Sequence, residues 1–139
     1  MIFVDTSFFF ALASERDPDH DRVREIFDEI DPARLPDLCL TTNHVVMETV
    51  RLARRQIGHQ AAVDMGNRLY GETIARVHWT TPEQERAAFE YLADRPDQRY
   101  SPVDCVSFIV MDAHGIDEAL TIDRDFTHRY VARPGPRPR

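Results

Sequence analysis

The chain has 139 residues, enough for one domain with a real core, and its 42% hydrophobic and 29% charged residues are the balance of a soluble globular fold. Its formal charge of −7 argues against broad, non-specific nucleic-acid binding, which needs many basic side chains to neutralise phosphates. All 17 cationic side chains are Arg, so chemistry on a lysine amine is excluded, while every cation present can grip a phosphate through two N–H groups.

In chain order, Ile2-Phe3-Val4-Asp5 reads as a buried strand. Residues 6–14 are apolar nearly all round, which predicts a buried helix. Asp17-Pro18 opens a second helix to about Ile30, with Val23, Ile26, Phe27 and Ile30 on one face. Asp31 to Pro36 reads as a loop and Leu38-Cys39-Leu40-Thr41 as a short strand. Helices are expected from Asn43 to Ile57, ended by Gly58, and from His59 to about Tyr70, before Gly71. Ile74 to Trp79 alternates as a strand does. Thr81-Pro82 starts a helix that ends before Pro96, and Ser101-Pro102 starts one that ends at Gly115. Ala119 to Asp123 is a strand, with a short one near Tyr130-Val131. The domain is expected over residues 1–132, followed by a basic, disordered tail over 133–139.

Alternating strands and helices predict an α/β fold, a mostly parallel sheet flanked by helices. In such folds ligands sit at the carboxyl ends of the strands, where Asp5 and Asp123 fall. No apolar run approaches the ~18 residues of a membrane span, and Asp5 interrupts any signal-peptide core, so a cytoplasmic protein without a membrane partner is expected. Cys39 and Cys105 stand far apart in apolar settings and read as buried free thiols.

Four acids lie where elements end or turn, and each has a plain structural reading. Asp5 could cap the first helix. Glu48 lies on a polar helix arc with His44, Arg51 and Arg55, opposite Val46, Met47, Val50, Ala53 and Ile57, and could pair with Arg51. Asp104 completes a capping box, Ser101-Pro102-Val103-Asp104, and a second such box at Thr81 to Gln84 has no chemistry attached. Asp123 and Asp125 after a strand commonly make a turn, although Asp125 could also hold a metal. Jointly the signals are stronger, because the fold gathers at least three of these acids at one sheet edge. Two carboxylates ~5 Å apart repel by roughly 3 kcal/mol at an effective dielectric of ~20. A divalent cation relieves that cost, and oxygen-only ligands favour Mg²⁺ or Mn²⁺.

The chain resembles PIN-domain ribonucleases, and within them the VapC-like toxins of type II toxin–antitoxin systems. The resemblance rests on Ile2 to Ser7, Thr41 to Glu48, Tyr100 to Phe108 and Leu120 to Phe126, in order and spacing. It implies a three-layer α/β fold and hydrolysis of RNA at an acidic Mg²⁺ or Mn²⁺ site. Asp5, Glu48, Asp104 and Asp123 fall on the family's catalytic acids. Asp5, Asp104 and Asp123 would hold metal, Glu48 would handle the attacking water, and Thr6 falls where a hydroxyl assists. It also implies a homodimer and a small VapB-like antitoxin that presents a basic residue to the acidic site. Arg51, Arg55 and the C-terminal arginines are candidate phosphate contacts. Two rival readings are a receiver-like phosphoacceptor domain, which needs a second acid beside Asp5 and a lysine, and a PIN-like binding module without activity.

Overall fold

The structure is a computed structural model that describes residues 1–138. Five strands form one parallel sheet: β1 (Ile2–Val4), β2 (Cys39–Thr42), β3 (Arg76–His78), β4 (Glu118–Thr121) and β5 (Val131–Pro134), in the order β3-β2-β1-β4-β5. Phe3 lies in register with Leu40 on one side and Ala119 on the other. The chain moves outward from β1 to β2 and β3, then returns to the other side of β1 to lay down β4 and β5. This reversal puts the topological switch point between β1 and β4, where open parallel sheets leave a crevice for ligands. Asp5 and Asp123 leave the sheet at that crevice.

Parallel strands need crossover connections, and helices supply them. They are α1 (Thr6–Ala13), α2 (His20–Asp28), α3 (Leu35–Leu38), α4 (Asn43–Gln56), α5 (His59–Tyr70), α6 (Pro82–Ala93) and α7 (Pro102–His114). Helix α1 packs on α2 and α4, α4 on α5, and α6 on α7. Both faces of the sheet are covered, which explains why β1 is an unbroken apolar run rather than an alternating one. Phe3, Phe8, Phe9, Phe108 and Phe126 are fully buried at the centre.

Most expected elements are present, with shifted ends. The second helix starts at His20, not at Asp17-Pro18, because the Asp17 carboxylate accepts the Asp19 N–H and folds that stretch into a turn. The expected loop over 31–36 holds a 3-10 turn (Pro32–Arg34), capped by Asp31, that runs into α3. Strand β3 keeps only the middle of the alternating stretch, although Ile74 and Ala75 are buried. On α4 the buried face is Val45, Val46, Thr49 and Ala53, whereas Met47 and Ile57, expected on the apolar arc, are exposed.

The expected domain limit at residue 132 cuts through β5. Arg133 and Pro134 pair in register with Leu120 and Thr121. Arg22 of α2 then donates to the carbonyl oxygens of Pro134 and Gly135, and Arg137 forms an ion pair with Asp19. The segment is thus tied down by side chains more than a hundred residues away. Arg139, the last residue of the expected tail, lies outside the described residues. Cys39 and Cys105 are both buried and unpaired, as expected.

Candidate functional site

Asp5 caps α1 and also faces the crevice. Its backbone N–H extends the β1–β4 ladder by donating to the Leu120 carbonyl, which fixes the residue at the strand exit. One carboxylate oxygen, Oδ2, accepts from the Ser7 N–H (3.3 Å), the Ser7 hydroxyl (2.8 Å) and the Thr121 hydroxyl (3.0 Å). Both hydroxyls also accept backbone donors from the β4 exit: Ile122 N–H onto Ser7 Oγ and Asp123 N–H onto Thr121 Oγ1. With each proton committed to Asp5, the two hydroxyls sit 3.1 Å apart without a proton to share. A single small network therefore sets both the Asp5 carboxylate and the turn that carries Asp123. Its geometry leaves Asp5 Oδ1 free of donors among the described residues.

Asp104 sits at the third position of α7 in a completed capping box. Its Oδ2 accepts from the Ser101 N–H while the Ser101 hydroxyl accepts from the Asp104 N–H. The same box forms at Thr81 and Gln84, so capping alone does not distinguish Asp104; its surroundings do. Asp123 lies beyond β4, not inside it, and caps a 3-10 turn (Arg124–Phe126) by accepting the Asp125 N–H at 2.9 Å. That turn swings Asp125 inward. Carboxylate oxygens of Asp104, Asp123 and Asp125 then all lie within 4.8 Å of one another, close enough to share a metal ion.

The electrostatics match a site without a fixed counter-charge. Burial pushes the Asp104 carboxyl up to about 7, and the neighbouring Asp5 charge adds to the shift. Burial pushes Asp5 up to about 6, the Ser7 hydrogen bond opposing and the Asp123 charge adding. Asp125 is also raised, by burial and then by Asp123. None of the arginines among the described residues forms an ion pair with Asp5, Asp104, Asp123 or Asp125. A divalent cation fits such an all-oxygen donor set, whose own repulsion it would neutralise.

Asp5 is not one of the three acids that meet, although its charge bears on Asp104 and that of Asp123 bears on it, and Glu48 is placed further apart. It is half-buried on α4 and lines a separate hollow with His44, Met47, Arg51, Trp79 and Val103, outside the three-carboxylate group. Val103 also precedes Asp104, so this hollow adjoins the crevice. The expected pairing of Glu48 with Arg51 does not form, Arg51 having no ion pair among the described residues, and His44 of the same arc bonds Glu85. Thr6 is buried with its hydroxyl unpartnered among the described residues, and the hydroxyls on Asp5 are those of Ser7 and Thr121. Of the expected phosphate contacts, Arg133 and Arg137 are engaged with Glu118 and Asp19. Sequence reasoning missed Ser7 and Thr121 as partners of Asp5. Both lay inside the quoted motifs; Ser7, two residues from Asp5, was within local reach, whereas no local signal joins Thr121 to Asp5 across 116 positions.

The sequence matches the PIN domain family over residues 2–132. It is 39% identical over 127 residues to the 23S rRNA-specific endonuclease VapC20 of Mycobacterium tuberculosis, covering 91% of this chain and 92% of that protein, in both strain CDC 1551 and strain H37Rv. The crystal structure of Mycobacterium tuberculosis VapC20, a sarcin-ricin loop cleaving toxin, is similar with a TM-score of 0.84 and 37% identity, over 92% of this chain and 94% of that one.

Proposed function

The chain belongs to the PIN domain family, and from that premise we propose that it is a metal-dependent endoribonuclease, the toxin of a toxin–antitoxin pair. The observation that carries this reading is the meeting of Asp104, Asp123 and Asp125 at the β1–β4 switch point, beside Asp5, with no arginine among the described residues in an ion pair with them. Relatives named for cutting 23S rRNA make ribosomal RNA the first substrate to test.

Asp5, Asp104 and Asp123 would hold one or two Mg²⁺ or Mn²⁺ ions, and Asp125 completes the donor set. Such an ion lowers the pKa of a bound water and offsets charge that builds on the phosphoryl oxygens. Ser7 and Thr121 orient Asp5 by occupying one oxygen and leaving the other for the site. Ser101 does the same for Asp104. Glu48, on the next wall of the crevice, is the remaining acid for placing or deprotonating the attacking water. Burial of Asp5 and Asp104 keeps them protonated more readily than ordinary carboxylates, so ion binding must displace those protons and strengthens as pH rises.

The partners follow from the same reading. A small VapB-like antitoxin would offer a basic residue to the acidic crevice, in keeping with the charge of −7. Met47, Trp79 and Phe89 are large, apolar and exposed, and the two hollows they line share His44. Such a continuous apolar face supports a homodimer. Among the described residues no helix is long and apolar enough to cross a membrane. Ribosomal RNA as the substrate is what leads us to place the protein in the cytoplasm.

The test is incubation of ribosomal and transfer RNA with antitoxin-free protein, with Mg²⁺ or Mn²⁺, with EDTA, and with the Asp104→Asn variant. Discrete fragments that vanish in EDTA and in the variant are expected. Intact RNA after exposure to folded, metal-loaded protein would favour a binding module that has kept the fold and lost the chemistry.

A further inference from the structure

A second hollow, of about 530 Å³ and of different chemistry, is lined in part by residues next in the chain to the acid-bearing segments. Its walls include Tyr91, Arg95, Tyr100, His128 and Arg129. Two of these residues bracket the acidic site along the chain. Tyr100 directly precedes the Ser101 cap of α7, and His128 follows the turn that carries Asp125. The Tyr100 hydroxyl and His128 Nε2 are 2.6 Å apart, so one hydrogen bond ties the two acid-bearing segments together beside the site.

The hollow combines aromatic faces with cations. The His128 ring lies nearly parallel to Tyr100, at 16° and 5.4 Å between centroids, and Tyr100 rests edge-on against buried Phe108. The column Phe108–Tyr100–His128 thus starts in the core and ends on an exposed imidazole. Arg95 stacks on Tyr91, its guanidinium carbon 3.5 Å from the ring centroid. One of its N–H groups donates to the Tyr91 carbonyl, and no carboxylate among the described residues pairs with it. Arg129 donates to Asp112 and the Tyr91 hydroxyl, which holds its guanidinium at the rim. Asp97 and Asp112 also line the hollow, and Asp112 is the ion-pair partner of Arg129, so Arg95 is the cation there without a carboxylate partner among the described residues. An unpaired arginine beside an exposed ring is the combination that binds single-stranded nucleic acid, phosphate on arginine and base on ring.

We propose that this hollow is an RNA subsite for a nucleotide flanking the cleaved phosphodiester, with its phosphate on Arg95 and its base stacked on His128. The proposal rests on the nuclease reading above. Stacking accepts any base, so the subsite positions the strand and adds affinity without choosing sequence. Tyr100 is a positioning residue that holds the imidazole in the stacking plane.

The test uses the full chain on the non-cleaving Asp104→Asn background, with Mn²⁺ present. Anisotropy of a labelled single-stranded ribosomal RNA fragment reports affinity against salt. His128→Ala should weaken binding about 10-fold, and His128→Phe, which keeps the flat face but loses the bond to Tyr100, should restore most of it. Arg95→Gln should flatten the slope of log K against log salt by about 0.7, and Arg95→Lys should keep the slope. Arg34→Gln, in the exposed turn before α3, controls for charge. With Asp104 intact, His128→Ala and Arg95→Gln should raise KM more than they lower kcat. Thermal melts establish that each variant is folded. Affinity within twofold and an unchanged slope in folded His128→Ala and Arg95→Gln, while the unmutated protein cuts RNA, would overturn the subsite and leave the nuclease reading standing. Failure of the unmutated protein to cut any RNA would strike the nuclease reading instead. Loss of antitoxin binding in these variants with RNA affinity intact would assign the hollow to the protein partner and also overturn the proposal.

Discussion

Asp104→Asn should abolish cleavage and yet stabilise the metal-free protein near and above neutral pH. The Asp104 carboxyl is raised from 3.8 to about 7, chiefly by burial and next by the Asp5 charge. A tenfold change in an ionisation constant is worth ~1.4 kcal/mol, so ionising this buried group costs the fold up to roughly 4 kcal/mol. Part of that cost is shared with Asp5, which brings the expectation for Asp104 alone to roughly 2–4 kcal/mol. The folded value lies above the unfolded one, so the protonated carboxyl is the stabilising form. Its contribution is complete below the unfolded value of 3.8 and is lost as pH rises to about 7. Asparagine carries no charge at any pH, and its Oδ1 can still accept the Ser101 N–H. Thermal unfolding in EDTA near pH 8 should therefore show the variant melting roughly 5–15 °C above the unmutated protein. Near pH 4 the two should nearly coincide, because Asp104 is then protonated in the unmutated protein. Mg²⁺ should raise the melting temperature of the unmutated protein and much less that of the variant. A variant that melts at or below the unmutated protein near pH 8 in EDTA would refute the idea that these acids carry stored repulsion.

Three further outcomes are expected. Thr121→Val removes a donor to Asp5 and the acceptor for the Asp123 N–H at once; it should cost roughly 1–3 kcal/mol and reduce kcat at least tenfold, and an unaltered kcat would show that this network does not position the acids. Gly115, at φ 65° after α7, faces no atom within 4 Å of an added Cβ; Gly115→Ala should therefore cost only the ~1–2 kcal/mol of left-handed backbone, seen in denaturant melts, with cleavage unchanged. Cys39 and Cys105 are buried and both thiols are pushed up to about 11; a thiol reagent should label neither in the native protein and both in denaturant, and rapid native labelling would contradict that burial.

The sequence alone determined whatever depends on neighbours within a few residues. The two capping boxes form where Thr81-Pro82 and Ser101-Pro102 predict them, because a cap bonds within three positions of itself. Helix α7 stops at Gly115 because a left-handed residue suits glycine. The apolar run of β1 announced a strand covered on both faces. Asp5, Asp104 and Asp123 were legible for the same reason: each sits at an element end that local chemistry marks. Tertiary structure decided the rest. Ser7 and Thr121 share Asp5 although 114 positions separate them, and no periodicity records that distance. Asp125 joined the site because the turn capped by Asp123 swings it inward, while Glu48 faced a neighbouring hollow instead. Strand β5 ran on past residue 132 because β4 and Arg22 were there to bond it. Tyr100 met His128 across 28 positions because α7 and the β4 exit converge on one crevice. Hydrogen bonds between distant segments exist only once the sheet has fixed its strand order, and that order places the switch point between β1 and β4.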